Sequence, residues 1–340
     1  MIGVRNVRMA RPVKVLSAAT LAAVFTLVAG CGNSGGEESE DASGESARRK
    51  GVSTPRMTIG MVSHSGAGDT FWDIVQNGAE AAAAKGNVKF LYANDKEGAK
   101  QAELVQSYID AKVDGLIVTL AKPQAVKAAV RKAVAAGIPV ITINAGGEFS
   151  KEFGALTHIG QDESVAGRAV GDELDERHAK KVLCVIHEQG NVSLEDRCAG
   201  VRKGFRGTVE SLNIDGTNAP ASQSSIEAKL QSDTSIDAVV TLGAPMAAIS
   251  VKAKEAAGSA AQVATFDLNS AVVRLLKTKN VSFAVDQQPY LQGYEAVDLL
   301  WLHRTNADVL GGGKPVLTGP ALVSDKDVPK LEEYTGRGTR

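Results

Sequence analysis

The chain has 340 residues, 44% hydrophobic and 23% charged, and its 38 Lys and Arg against 39 Asp and Glu give a formal net charge of −1. This is the composition of a globular protein with room for about two domains, and the even balance leaves no electrostatic footprint for nucleic acid. Aromatic residues make up 4% while alanine and glycine abound, which suits closely packed layers of strands and helices better than a β-sandwich.

The amino-terminal stretch does not read as part of a fold. Arg5, Arg8, Arg11 and Lys14 precede an apolar run from Val15 to Ala29. A run of about 15 residues is short for a membrane span and right for the hydrophobic region of an export signal. It closes on Leu27-Val28-Ala29-Gly30-Cys31, which resembles the lipobox of bacterial lipoproteins. That resemblance implies cleavage before Cys31 and lipid on its thiol; an ordinary secretory signal with an incidental cysteine is the alternative. Residues 1–31 are thus expected to be signal and lipobox. Residues 32–56, which open on a run of Gly, Ser and Glu, are expected to be a solvated tether.

The folded body begins with a strand, Met57 to Ser63, followed by a polar, glycine-rich loop from His64 to Asp69. Phe71, Ile74, Val75, Ala79 and Ala82 then recur at helical spacing, Val88 to Tyr92 reads as a second strand, and Leu104, Val105, Tyr108 and Ile109 mark a second helix. The stretch from Asp114 to Asn144 is one complete βαβ unit. Its strands, Gly115 to Val118 and Ile138 to Ile143, are apolar on both faces; Pro123 opens the helix between them and Gly137 ends it. Such a unit makes its strands parallel, and ligands bind at the carboxyl ends of parallel strands, where Thr119 and Asn144 stand.

The pattern pauses from Ala145 to Leu156 and then restarts. Strands are expected at Lys181 to Ile186, near Leu212 to Ile214, at Ala238 to Thr241, Gln262 to Phe266 and Val281 to Val285. The helices between them are expected at about Leu194 to Val209, Ser225 to Gln231, Met246 to Ala257 and Ala271 to Lys277. This is a second lobe of the same α/β kind. From Pro289 a long amphipathic helix is expected to pack back on the first lobe, with Gly311 to Gly313 ending that element. Cys184 and Cys198, an even pair in an exported chain, suggest a disulfide, with two buried free thiols as the alternative; no Cys-x-x-Cys spacing points to a metal.

In order along the chain, GDTFWDIVQNGAEAAA, DGLIVTL, AGIPVITIN, HIGQDESVAGRAVGDEL, EDRCAGVRKGF, VATFDLN and FAVDQQPYLQGYEAV resemble the ribose-binding group of periplasmic-type sugar-binding proteins, the extracytoplasmic receptors of sugar ABC transporters. The likeness runs from about Met57 to about Val323. It implies a type I periplasmic binding protein fold: two doubly wound parallel-sheet α/β lobes joined by a three-crossover hinge. The crossovers fall near His158 to Gln161, Asp286 to Gln288 and Gly319 to Ala321. The amino-terminal lobe is then 57–159 plus about 287–318, and the carboxyl-terminal lobe 160–286 plus about 319–328.

The resemblance also implies ligand-binding residues. Asp69, Phe71 and Trp72 stand where the family places a polar residue and two aromatics; the alternative is that the aromatics are core. Arg197 matches a family arginine whose fork of donors binds ring oxygens, against a surface salt bridge with Glu195 or Asp196. Asp267 matches a ligand-binding aspartate, against a helix cap, and Gln287 a glutamine at the second crossover, against a purely structural hinge role. Asn144, with Ala145, stands where many members carry Asp-Arg, and Gly243 where many carry asparagine. These departures leave a different pentose, a hexose or a linear polyol open. His64, Asn191 and Glu188 are weaker candidates.

The partners so implied are a small neutral sugar or polyol, an ABC transporter permease and the membrane through a lipid anchor, with the protein a monomer outside the cytoplasm. Neither cofactor nor metal is expected. No Gly-x-Gly-x-x-Gly follows the first strand and no P-loop or zinc signature occurs, which argues against catalysis. A receptor for a signalling furanose such as autoinducer-2 is the alternative function. Related DNA-binding repressors carry a helix-turn-helix where this chain has its signal and tether.

Overall fold

Short strands that are apolar on both faces need helices above and below them. The computed structural model describes residues 55–66 and 69–340 and builds two such sheets; the expected signal peptide, Cys31 and the expected tether as far as residue 54 lie outside the described residues. The first lobe alternates β1 (Met57–Ser63), α1 (Thr70–Gly86), β2 (Val88–Asn94), α2 (Gly98–Asp110), β3 (Gly115–Val118), α3 (Pro123–Ala135), β4 (Val140–Ile143), α4 (Gly147–Phe153) and β5 (Thr157–Gln161). After Gln161 the chain crosses to the second lobe. There it forms α5 (Glu163–Glu176), β6 (Lys181–Ile186), α6 (Val192–Gly204), β7 (Thr208–Asn213), α7 (Ala219–Ser232), β8 (Ala238–Thr241), α8 (Ala244–Ala256), β9 (Gln262–Phe266), α9 (Ser270–Lys277) and β10 (Phe283–Asp286). It returns for α10 (Pro289–Asn306) and β11 (Val316–Gly319), then crosses a third time to β12 (Ala321–Val323) and α11 (Val328–Gly336).

The sheet orders are β11-β5-β4-β3-β1-β2 and β12-β10-β9-β8-β6-β7. In both lobes the order reverses at the first strand, so each has its ligand-accepting crevice at the carboxyl ends of β1 and β3, or of β6 and β8. Pairing is parallel except between β10 and β12. Because β10 ends at the hinge and β12 begins there, that pair can only run antiparallel.

Several elements differ from the hydrophobic pattern. The pause after Asn144 holds the helix α4, whose Phe153 is fully buried in the first lobe's core. Helix α6 stops at Gly204 because Phe205 is extended (φ −92°, ψ 132°), so Val209 belongs to β7 although it continues the helical spacing. Helix α10 ends at Asn306, with Ala307 left-handed, ahead of the three glycines, which form a separate 3-10 turn. It does pack on the first lobe: Val297 and Leu300 share a core with Val75 and Ala79 of α1. No apolar run announced α11, which buries Val328 and Leu331 against the second lobe.

Candidate functional site

The carboxyl ends of the two sheets face each other across a cavity of about 520 Å³. His64, Asp69, Phe71, Trp72 and Asn144 line it from the first lobe, Asn191, Arg197, Gly243 and Asp267 from the second, and Gln287 from the hinge. Glu188 lines it too, so all eleven candidates share one cavity. The lobes also touch directly. Val192 N donates to Ala121 O (3.1 Å), Asn269 Nδ2 to Thr70 Oγ1 (3.4 Å), and Lys122 Nζ stands 3.6 Å from Glu188 Oε1.

On the first lobe, Asp69 caps α1 by accepting from Phe71 N (3.1 Å), which turns the first helical residues into the cleft. Phe71 and Trp72 belong to the lobe's core and also line the cavity, so the core and ligand readings of this pair both hold geometrically. Their rings meet edge to face at 5.2 Å, and Trp72 meets His64 in the same way at 5.1 Å.

His64 is buried, not solvated. Its neighbour Thr119 accepts from His64 N (3.1 Å) and Gln101 Nε2 (3.0 Å), which fills both lone pairs of the hydroxyl oxygen. The Thr119 hydroxyl must therefore donate to His64 Nδ1 at 2.8 Å, leaving the ring proton on Nε2. Burial lowers the pKa of this imidazole, so it is neutral at pH 7. Asn191 does not receive that proton: it faces His64 Nε2 at 3.3 Å with its Nδ2, an amide donor that is directed to Glu188 Oε2 (2.9 Å), while its Oδ1 caps α6 through Ser193 N.

On the second lobe, Arg197 is pinned from behind. Nε and Nη2 donate to Glu163 Oε2 (2.6 Å) and Oε1 (2.8 Å), Nη1 donates to Leu242 O (2.8 Å), and the guanidinium lies 4.7 Å from the Phe266 ring. The partner is thus Glu163 on α5, neither Glu195 nor Asp196. Burial disfavours the charge, but Glu163 more than offsets it, so Arg197 stays cationic. Of its five N–H donors, two remain for a ligand. The pair exists because α5 and α6 nearly touch: a Cβ added at Gly167 would lie 2.2 Å from Arg197 O, and one at Gly200 2.6 Å from Ser164 O.

Asp267 does not cap α9, a task that falls to Asn269. Instead a relay crosses the hinge. Asn144 Nδ2 donates to Gln287 Oε1 (3.1 Å), and Gln287 Nε2 donates to Asp267 Oδ1 (2.6 Å). Gln292 Nε2 supports Gln287 Oε1 from α10 (3.0 Å). Asn144 and Asp267 both have positive φ, 63° and 67°, which swings their side chains off the strand ends into the cleft. Burial raises the carboxyl of Asp267 to about 7 and that of Asp69 to about 6. Two desolvated carboxylates in one cavity are acceptors short of donors, and hydroxyl groups would supply them.

A family model described as a periplasmic binding protein domain matches residues 59–307. The chain belongs to the periplasmic binding protein family. Among its relatives, the ribose import binding protein RbsB of Bacillus subtilis (strain 168) is 27% identical over 250 residues, covering 71% of this chain and 80% of that protein. The structure of a carbohydrate transporter from Acidothermus cellulolyticus 11B, solved in complex with myo-inositol, is 49% identical with a TM-score of 0.83, covering 84% of this chain and all of that one. GanP, a glucose-galactose binding protein from Geobacillus stearothermophilus, shares the fold at 20% identity and a TM-score of 0.72, covering 81% of this chain and 100% of that one.

In this periplasmic binding protein, Cys184 of β6 and Cys198 of α6 form a disulfide, Cα to Cα 6.0 Å, immediately after Arg197 in the chain. Glu163 was missed by sequence reasoning, and His187, at the head of the run that supplied Glu188 and Asn191, was not singled out. An acidic residue in the first turn of a helix reads as an ordinary surface group, and the signal that a buried arginine needs an internal counter-charge appears only once Arg197 is placed. Among the described residues no group of His, Cys, Asp and Glu is arranged to hold a metal ion, and no helix is long and apolar enough to cross a membrane.

Proposed function

We propose that this protein captures a neutral, polyhydroxylated solute of monosaccharide size, a sugar or a cyclic polyol, outside the cytoplasm and delivers it to the permease of an ABC transporter. The observation that carries the reading is one cavity whose polar groups come from both lobes and from the hinge between them. Contacts made from both sides exist together only when the lobes are closed, so a ligand that makes them shifts the population toward the closed form, whose surface a permease recognises. Acceptors at Asp69 and Asp267, donors at Arg197 and an aromatic face at Phe71 and Trp72 match hydroxyls and the C–H faces of a ring.

The likeness to a ribose import protein supports the transport role, and the 49% likeness to a protein solved with myo-inositol supports a cyclic polyol or a hexose over ribose. Asn144 fits the same direction, since this neutral amide is already engaged with Gln287. The reading is binding without turnover. Lipid on Cys31 would hold the receptor near its permease; a single acyl chain anchors marginally, and the several chains of a lipoprotein anchor firmly.

A thermal-shift screen against myo-inositol, pentoses, hexoses, linear polyols and autoinducer-2 tests the proposal. A true ligand at 100 times its Kd stabilises by about 2.7 kcal/mol. Stabilisation by autoinducer-2 alone would replace solute uptake with signal reception, and stabilisation by none of them would remove the proposal.

A further inference from the structure

His187 follows β6 and lies in the cavity wall, on the second-lobe side. Its imidazole is held between two glycines. A Cβ added at Gly243 would lie 3.0 Å from Cε1 and 3.3 Å from Nε2, and one added at Gly216 would lie 3.0 Å from the His187 Cβ and 3.1 Å from Cδ2. The ring therefore occupies space that any side chain at 243 would claim. Nδ1 is enclosed with no hydrogen-bond partner, and among the described residues no hydrogen bond reaches Nε2, the nitrogen nearer Gly243. Buried polar groups in folded proteins are nearly always paired, and of the two unpaired nitrogens it is Nε2, which is not enclosed, that a molecule in the cavity reaches.

Burial holds the imidazole pKa at about 4 despite Glu188 nearby, so the ring is neutral at pH 7 and offers one N–H donor and one acceptor nitrogen. Asp69 and Asp267 accept when ionised, Arg197 donates, and the nitrogens of His64 are assigned by Thr119. A hydroxyl group, itself donor and acceptor, is complementary to a neutral imidazole, whereas a carboxylate has no proton to give it and an ammonium has no lone pair.

The geometry points to His187 as a ligand-contacting residue that sets selectivity: over the space left open by Gly243, its unpaired ring exchanges hydrogen bonds with ligand hydroxyls on the second-lobe side of the cleft. This rests on the reading of the cleft as a site for a neutral polyhydroxylated solute. Gly243 and His187 then act as one unit, the bare backbone at 243 being what admits the ring.

Isothermal titration with myo-inositol, D-ribose, D-glucose and D-arabinose as probes tests this on the wild type, His187→Ala, His187→Asn, Gly243→Ala and the His187→Ala/Gly243→Ala pair. For the probes that wild type binds, His187→Ala weakens affinity about tenfold, the worth of a lost hydrogen bond. Gly243→Ala, which displaces the ring, does the same. The pair is no weaker than the worse single variant, and His187→Asn, which keeps a donor and an acceptor, recovers part of the loss while the ligand-free melting temperatures stay together. Wild-type affinity in His187→Ala overturns the inference, as does a loss that tracks a fall in ligand-free melting temperature and is not relieved by asparagine. If the wild type binds none of the probes and the thermal-shift screen finds no other neutral polyol, the parent reading fails and this one with it; a ligand found in that screen takes the place of the probes.

Discussion

Replacing Arg197 by alanine removes the cation from a pair in which both partners are almost enclosed, Arg197 being 3% and Glu163 8% exposed. The Glu163 carboxylate would keep Gln161 Nε2 at 2.8 Å but lose two guanidinium hydrogen bonds, and Leu242 O would lose its donor. Breaking a buried pair in this way costs about 3–5 kcal/mol, because the remaining charge has neither water nor counter-charge. At about 2–4 °C per kcal/mol for a body of this size, the ligand-free melting temperature falls by roughly 6–20 °C. An arginine in a surface salt bridge with Glu195 or Asp196 would cost almost nothing, so the melt separates that alternative from the buried pairing. The companion variant, Arg197→Met with Glu163→Leu, removes both charges and should recover most of the melting temperature, since apolar replacements of buried pairs are often neutral. Ligand binding would not recover, because the donors facing the cavity are gone. Scanning calorimetry reads the first effect and isothermal titration the second. A melt of Arg197→Ala within about 2 °C of wild type, the shift expected of a surface substitution, would refute the reasoning.

Affinity should depend on pH through Asp267 and Asp69. Burial raises their carboxyls to about 7 and about 6, so the ligand-free protein holds these protons more tightly than the unfolded chain, and its stability falls as pH rises from about 4 to about 7. Ligand hydroxyls that donate to the carboxylates favour the ionised forms, so binding releases protons and tightens as pH rises through the same upper window; titration in buffers of different ionisation enthalpy measures the release, and a pH-independent Kd between about 5 and 8 would contradict it. The double substitution Cys184→Ala, Cys198→Ala opens a loop with a sequence separation of 14, which costs about 3 kcal/mol and is read by urea unfolding. Gly167→Ala places a methyl 2.2 Å from Arg197 O; it should destabilise by about 1–3 kcal/mol and weaken binding by spreading α5 from α6, and an unchanged urea midpoint would show that the helices can part freely.

Much of the fold was legible because β3, β4, β6 and β8 are apolar on both faces and their helices carry one buried stripe, two periods that do not blur into each other. The exceptions have physical causes. Helix α4 is too short and polar to show a stripe, and Val209 extended a helical spacing that the backbone breaks at Phe205. The candidate residues converge on one cavity because they sit at strand ends, which topology brings together. What could not be read was pairing across the fold. Glu163 and Arg197 are 34 residues apart, and no local pattern links them. The role of His187 depends on an absence, the missing side chain at Gly243, and on the approach of the loops after β6 and β8 that only the folded chain supplies. Thr119, noted only for its position at a strand end, fixes the tautomer of His64 from a strand away.

Isothermal titration of the protein with myo-inositol and a panel of neutral monosaccharides is the most direct test of the claim that two lobes close on one uncharged, hydroxyl-rich molecule. The account predicts saturable heat with one site per chain for at least one of them. No heat from any neutral polyol, with saturation by a charged solute instead, would contradict it.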